Sequence, residues 1–412
     1  MMKLTPTLIA AAIAAALAGP VQAAPLLSTD IIKVGDAEHL EANAWVEINQ
    51  AVFEDNIRKV QELLGEASDM CAIMKADAYG HGISNLMPSI IAMGVSCVGV
   101  ASNEDARAVR ASGFEGRLMR VRNATPEEIQ GAFEYQMEEL FGDLSAAQEA
   151  ADMAAEAGIT LRYHLGLNAG GMGRNGLELD TESGREEALA LVGLPHLELT
   201  GIMTHFAFED VDWVRQGLAR FEEQSDWLIE KANLDRDALT LHTANSFTTM
   251  EVPEARLDMV RPGGLLYGDL PHYPQFHPVM SFKTRVASVN DYPAGSGVGY
   301  DNIHALERDS VLANLPVGYS DGYRRVFSDK AHVLIHGERV PVLGRVSMNT
   351  IMVDVTDLPS VEAGDEVVLY GVQDKGHISI AELEDLNGSL LADVYTMWGN
   401  SNPKILNPTE PD

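Results

Sequence analysis

The stretch Cys71-Ala-Ile-Met-Lys-Ala-Asp-Ala-Tyr-Gly-His-Gly82 decides how the rest of the chain is read. An apolar run rises to a lysine and then breaks into small residues, a tyrosine and two glycines, the pattern of a buried parallel strand opening into a loop. That puts the Lys75 ammonium at a strand's C-terminal end. Burial disfavours the charged form, so the pKa is expected to fall and the free amine to become a nucleophile able to form a Schiff base. A lone lysine at a turn would carry no such implication. Here Tyr79 adds a hydroxyl, and Gly80 and Gly82 permit close backbone approach where an anionic group could sit.

Working outward, strand and helix patterns alternate from Cys71 onward. Candidate strands fall at 71–75, 96–101, 117–121, 139–142, 159–165, 198–203, 238–242 and 256–260. Eight parallel strands with helical crossovers are the count of a TIM-type (β/α)8 barrel, an α/β fold. A helix is expected over 49–64, stopped by Gly65, and Ser102-Asn-Glu-Asp105 has the form of a capping box. Lys75, Arg174, His205, Asn245, Ser246 and Arg261 each follow a predicted strand, and in this fold those loops share the face where active sites form. After Gly268 the texture changes. Pro271, Pro274 and Pro278 mark a linker, and β-type alternation follows over 279–289, 310–317, 331–343 (turning near Gly337), 348–355 and 366–370. Residues 44–275 are therefore expected to form the barrel and 276–412 a mainly antiparallel β domain, to which the segment before Trp45 can add a strand.

The chain has 412 residues, 46% of them hydrophobic and 22% charged, enough for two globular domains. Its 29 basic against 61 acidic residues give a net charge of -32, a surface that repels nucleic acid and anionic membranes, so neither is an expected partner. Lys3, the apolar run 8–17 and the small residues Val21-Gln-Ala23 have the form of a cleavable export signal over 1–23, leaving 24–43 as an N-terminal extension and the mature protein in the periplasm. Export gives the two cysteines meaning. Cys71 and Cys97 stand on neighbouring candidate strands, within disulfide range, and an oxidising compartment would preserve the bond; two buried free thiols are the alternative.

The segment from Lys75 to Gly82, Lys-Ala-Asp-Ala-Tyr-Gly-His-Gly, resembles letter for letter the pyridoxal-phosphate lysine segment of the alanine racemase family. Further motifs continue the resemblance from about Ala44 to the C-terminus. It implies pyridoxal 5'-phosphate joined as a Schiff base to Lys75, with Tyr79 beside it. It also makes Arg174 the guanidinium that holds the cofactor's phenolic oxygen and helps place the substrate, and His205 a support for Arg261. Arg261 would face the pyridine nitrogen; an arginine does not surrender its proton, so the ring remains a weaker electron sink, which favours proton return over transamination. In Leu241-His-Thr-Ala-Asn-Ser246 and Arg261-Pro-Gly-Gly264, the Ser246 hydroxyl and the N–H groups of Gly263 and Gly264 would cradle the phosphate, with Asn245 also binding the cofactor. Tyr300, in Gly297-Val-Gly-Tyr300, would be a second base reaching in from a partner subunit, so the expected assembly is a homodimer with composite sites. Racemisation needs acid–base groups on both faces of a planar intermediate, Lys75 on the D side and Tyr300 on the L side. The Met348 backbone N–H would meet the substrate carboxylate, and Tyr319 would lie near the entrance.

Several positions depart from the common alanine racemases. Gly166 stands where the family has a carbamylated lysine, so a different anion, such as chloride held by Asn168 and Asn175, would have to support Arg174. Asn349 replaces an aspartate, and Asn400 aligns with a tyrosine that precedes the family's terminal motif. With Arg120-Val-Arg122 and the export signal, these departures resemble the periplasmic broad-specificity amino-acid racemases. They imply action on basic and aliphatic amino acids such as lysine, arginine, methionine and alanine, the acidic chain favouring cationic substrates. The competing expectations are an alanine-specific racemase, a barrel-type pyridoxal-phosphate decarboxylase that would lack the tyrosine base, and a non-catalytic cofactor carrier. No metal is expected.

Overall fold

The computed structural model describes residues 32–33 and 41–407. The expected export signal at 1–23 and most of the 24–43 extension lie outside the described residues. Among the described residues no helix is long and apolar enough to cross a membrane.

All eight barrel strands are present: β1 Asp69–Ile73, β2 Cys97–Val100, β3 Arg117–Arg120, β4 Glu139–Phe141, β5 Leu161–Gly166, β6 Leu197–Met203, β7 Thr240–His242 and β8 Met259–Val260. They form two parallel arcs, β8-β1-β2-β3 and β4-β5-β6-β7. One seam between the arcs closes through a parallel bridge from Met119 to Glu138. At the other seam the Asp258 N–H donates to the Leu241 carbonyl at 3.1 Å and the Arg261 N–H to that of Ala244 at 2.8 Å. The strands are short and largely buried on both faces, which is why they read as apolar runs rather than as alternation.

Cys71 and Cys97 are register partners on β1 and β2 and are joined by a disulfide, their Cα atoms 4.3 Å apart. Gln50–Leu64 is helical because Asn49 caps it, its Oδ1 accepting from the Val52 N–H at 3.1 Å. The helix buries Val52, Phe53, Ile57, Val60 and Leu64 along one stripe and ends at Gly65 with φ 56°.

Beyond the barrel lies an eleven-stranded sheet, antiparallel except where its N- and C-terminal strands meet. The expected hairpin at Gly337 joins His332–Ile335 to Glu338–Leu343. Two short helices the β pattern did not suggest, Ile380–Asn387 and Ala392–Ser401, close this part, with Trp398 of the second stacked on Phe282 at 4.9 Å. The boundary at residue 44 needs correction. Ala44–Asn49 is a strand of this sheet, antiparallel to Met280–Arg285 and parallel to Lys404–Asn407, so barrel structure starts at the following helix. A half-buried strand shows an apolar pattern but not which sheet it joins.

Candidate active site

Lys75 leaves β1 into an unusual turn. Ala76, Asp77, Ala78 and Tyr79 all have φ between 54° and 56°, the left-handed region that costs a non-glycine residue roughly 1–2 kcal/mol. Neighbours hold them there. The buried Asp105 carboxylate accepts the Ala76 N–H at 3.2 Å and the Asp77 N–H at 3.0 Å. Asp77 itself accepts from the Ile83 N–H at 2.8 Å and pairs with the buried Lys404 ammonium at 3.3 Å. The predicted capping box is thus only half made: Ser102 caps its helix by accepting from the Asp105 N–H at 3.1 Å, while the Asp105 side chain serves the lysine turn. Above the turn the helix Ala392–Ser401 lies so close that a Cβ on Gly80 would meet the Thr396 carbonyl oxygen at 2.8 Å.

Lys75 opens into a cavity of about 330 Å³, and the structure brings to its walls the barrel residues expected to hold the cofactor: Tyr79, Arg174, His205, Asn245, Ser246, Arg261, Gly263 and Gly264. Surrounding protein desolvates the Lys75 ammonium and the Arg174 charge adds repulsion, so its pKa falls below the ordinary lysine value despite an opposing pull from Asp269. Among the described residues Arg174 makes no hydrogen bond or ion pair, and the Tyr79 hydroxyl has no hydrogen-bond partner. A Cβ on Gly263 would approach that hydroxyl to 2.4 Å, so only glycine leaves the space beside it open. An amine, a guanidinium and a phenol, all unsatisfied and facing one cavity, are donors suited to an aldehyde-bearing anion such as pyridoxal phosphate.

The phosphate cradle differs in detail from expectation. The Ser246 Oγ already accepts the N–H of Gly263 at 3.1 Å and of Leu265 at 3.3 Å, so the Gly263 N–H is not free and the hydroxyl's own proton remains to donate. Asn245 turns its Oδ1 to the Thr248 N–H at 2.9 Å and caps the helix Ser246–Glu251.

Arg261 is buried, which lowers its pKa to about 9 and still leaves it charged at neutral pH. It donates to the carbonyl of Thr204 at 2.9 Å and lies 3.4 Å from the His205 Nδ1; a closer partner is the Nδ1 of His242, at 2.7 Å. Burial, with Arg261, Arg174 and Lys75 nearby, pushes His205 down to about 3, so it is neutral.

His242 was not singled out from sequence, although it ends β7 as His205 follows β6. Glu209 and Asp269 also line the cavity unannounced. Burial drives Asp269 up to about 6 against the Tyr395 hydroxyl that donates to it.

Other expected residues stand elsewhere. Tyr300, in a turn between the paired strands Gly297–Val298 and His304–Ala305, is 63% exposed, and Met348 is 54% exposed; neither lines the cavity. Tyr319 is exposed beside Arg325, and the Asn349 amide donates to the Ser320 Oγ at 2.8 Å. Asn400 is exposed outside the cavity, where Leu390 and Ala392 form the wall. Asn168 lies off the cavity too, its amide donating to Glu178 at 2.8 Å and accepting from the Gly173 N–H, while Asn175 does line it. Arg120 and Arg122 engage Glu139 and Glu128 rather than the cavity, which receives only Val121 between them. No group of side chains suited to a metal occurs among the described residues.

Two family models match the chain, "Alanine racemase, N-terminal domain" over residues 48–271 and "Alanine racemase, C-terminal domain" over 279–406. A broad specificity amino-acid racemase of Pseudomonas taetrolens is 57% identical over 98% of this chain and 99% of its own length. A lysine racemase of Proteus mirabilis is 49% identical over 88% of this chain and 89% of its own. Among solved structures, the alanine racemase from D-cycloserine-producing Streptomyces lavendulae superposes with a TM-score of 0.81 at 29% identity, covering 89% of this chain and 97% of that one.

Proposed function

We propose that this chain, which belongs to the alanine racemase family, is a pyridoxal-phosphate-dependent racemase that interconverts the L and D forms of several amino acids, basic and aliphatic ones among them. The observation that carries the reading is the convergence of the Lys75, Tyr79 and Arg174 side chains, none of whose polar groups has a hydrogen-bond partner among the described residues, on one cavity floored by the charged Arg261. Pyridoxal phosphate, when bound, supplies the electron withdrawal that makes an amino acid's α-hydrogen acidic.

The protein's share begins with Lys75, whose pKa is lowered by burial and by the charge of Arg174, which favours the neutral amine that would anchor the aldehyde and carry a proton on one face. Tyr79 and Ser246 would hold the phosphate as donors, and Arg174 would donate to the phenolic oxygen and help place the substrate. Arg261, neighboured by the neutral His205, would offer the pyridine nitrogen a donor and not a proton acceptor. Tyr300 from a second copy of the chain is the base on the opposite face, with the partner's share of the site completed by Met348 and Tyr319. Their exposure in the single chain supports this reading. A chloride beside the unpaired Arg174, held by Asn175 and the remaining amide hydrogen of Asn168, would supply the missing counter-charge.

Breadth of substrate is supported by two acids, Glu209 and Asp269, in the cavity wall, which suit a cationic side chain, and by the relatives named for broad specificity and for lysine. Export through the first 23 residues belongs to the same reading; N-terminal sequencing of periplasmic protein should begin at Ala24.

A chiral product assay of the purified protein across the common amino acids tests the proposal. Racemisation of lysine, arginine, methionine and alanine is expected. Racemisation of alanine alone would reject the breadth, and release of carbon dioxide or an amine would reject the reaction.

A further inference from the structure

A line of buried polar side chains crosses the barrel beneath the cavity. Arg261 NH1 lies 2.7 Å from the His242 Nδ1, the His242 Nε2 2.8 Å from the His164 Nδ1, and the His164 Nε2 2.7 Å from a Glu138 oxygen. Glu138 precedes β4 at the barrel's opposite end, where Arg117 at 3.2 Å and Arg162 at 3.4 Å reach it from partly exposed positions and Thr200 touches the same carboxylate. The side chains of Glu138 and His164 are 2% and 1% exposed, and His242 is fully buried. Room for His164 exists because β6 has a glycine at 201, where a Cβ would meet its Nδ1 at 2.3 Å.

The ends of this line determine its middle. A guanidinium can only donate and an ionised carboxylate can only accept, while a neutral imidazole does one of each. One assignment alone satisfies all three bonds: each histidine carries its hydrogen on Nε2 and presents a bare Nδ1 toward Arg261. We propose that Glu138 is a positioning residue for the reaction, setting the tautomers of His164 and His242 so that Arg261 keeps an acceptor for its NH1 and its orientation toward the cofactor. The electrostatics agree. Burial would raise Glu138, but the hydrogen bond from His164 and the charge and hydrogen bond of Arg117 hold it below the usual carboxylate range. Burial lowers His164 below the ordinary imidazole value against the opposing pull of Glu138, with Arg117 and Arg261 adding repulsion, and burial with Arg261 lowers His242 further. A reversed line would put an N–H of His242 against an N–H of Arg261, and a wrong tautomer can cost a catalytic site heavily even with its geometry intact.

The inference rests on the racemase reading for its kinetic consequence but not for its structural one. In the holoenzyme, nitrogen-15 shifts of His164 and His242 should report two neutral Nε2–H tautomers at pH 7. An imidazolium or an Nδ1–H form at either residue overturns the proposal, whatever the activity. Glu138→Gln, whose amide can present its NH2 to His164 and reverse the line, should move His242 to the Nδ1–H form. It should shift the pH midpoint of the bound cofactor's absorption and lower kcat about tenfold or more with KM changed less than about twofold. A folded Glu138→Gln protein with the parent's spectrum and kinetics rejects the positioning role. If that variant does not fold, the tautomers of the unaltered protein still decide.

Discussion

The Asp105 carboxylate takes the main-chain N–H of Asp77 at 3.0 Å, and with it the next N–H back, at Ala76. This one side chain, on the helix after β2, holds the first residues of a turn that four non-glycine residues would otherwise avoid. At roughly 1–2 kcal/mol each, their left-handed conformation costs about 4–8 kcal/mol, and it aims the Lys75 side chain into the cavity.

Asp105→Ala should therefore free both N–H groups, lower stability by about 3 kcal/mol and weaken cofactor retention. Denaturant titration and absorbance of the bound cofactor measure the two effects. A variant that folds and holds the cofactor as tightly as the parent would show that the turn is set elsewhere.

Gly263→Ala adds a methyl against the Tyr79 hydroxyl without a backbone penalty, since φ there is -115°. The expected outcome is a rise in the Kd for pyridoxal phosphate of about tenfold or more, equivalent to about 1.4 kcal/mol, with little change in Tm. Unaltered affinity for the cofactor in a titration of apoprotein would place the phosphate away from Tyr79.

Two buried acids give opposite pH dependences. Glu138 is depressed to about 2, so its contribution to stability is present above the unfolded carboxylate pKa and is lost as pH falls from about 4.5 through 2, a change of about 3 kcal/mol. Asp269 is raised to about 6, so the folded state binds its proton more tightly and stability declines as pH rises from about 4 through 6. Urea midpoints between pH 2 and 7 should show both slopes. Glu138→Gln should flatten the first and Asp269→Asn the second.

The disulfide between Cys71 and Cys97 closes a loop with a sequence separation of 26. By loop entropy its removal should cost about 2–4 kcal/mol. A thiol assay on denatured, unreduced protein should find none, and the Cys71→Ser, Cys97→Ser double variant should melt several degrees lower by the usual scaling.

Composite sites predict a complementation. Lys75→Ala should lose cofactor colour and activity, while Tyr300→Phe should keep the colour and lose about a hundredfold or more in rate from the L side. Mixed dimers of these two variants contain one site with both groups intact, so subunit exchange should restore activity. Hybrids that form and remain inactive would reject a partner's tyrosine as the second base.

The barrel was legible because short, largely apolar strand segments alternate with helical periods, and because Lys75, Arg174, His205, Asn245 and Arg261 recur beyond strand ends. Handedness of the lysine turn was not legible. Lys-Ala-Asp-Ala-Tyr contains no glycine, and the conformation is imposed by Asp105, a residue whose local spacing suggests a cap instead. His242 and Glu138 were missed for a related reason: a buried polar residue at a strand's end looks like a defect in an apolar run until its partners on other strands are seen. Tyr300 and Met348 could be named from their motifs, but a single chain places them away from Lys75.

The strand Ala44–Asn49 is clasped between Met280–Arg285 and Lys404–Asn407, so the earliest described segment of any length is sealed by one of the last. A polypeptide delivered from its N-terminus can assemble barrel strands as they emerge, but it must leave this edge unpaired until residues 404–407 have emerged. Loss of residues 404–407 would then leave the opening strand beside a gap, in a product prone to pair with the wrong chain.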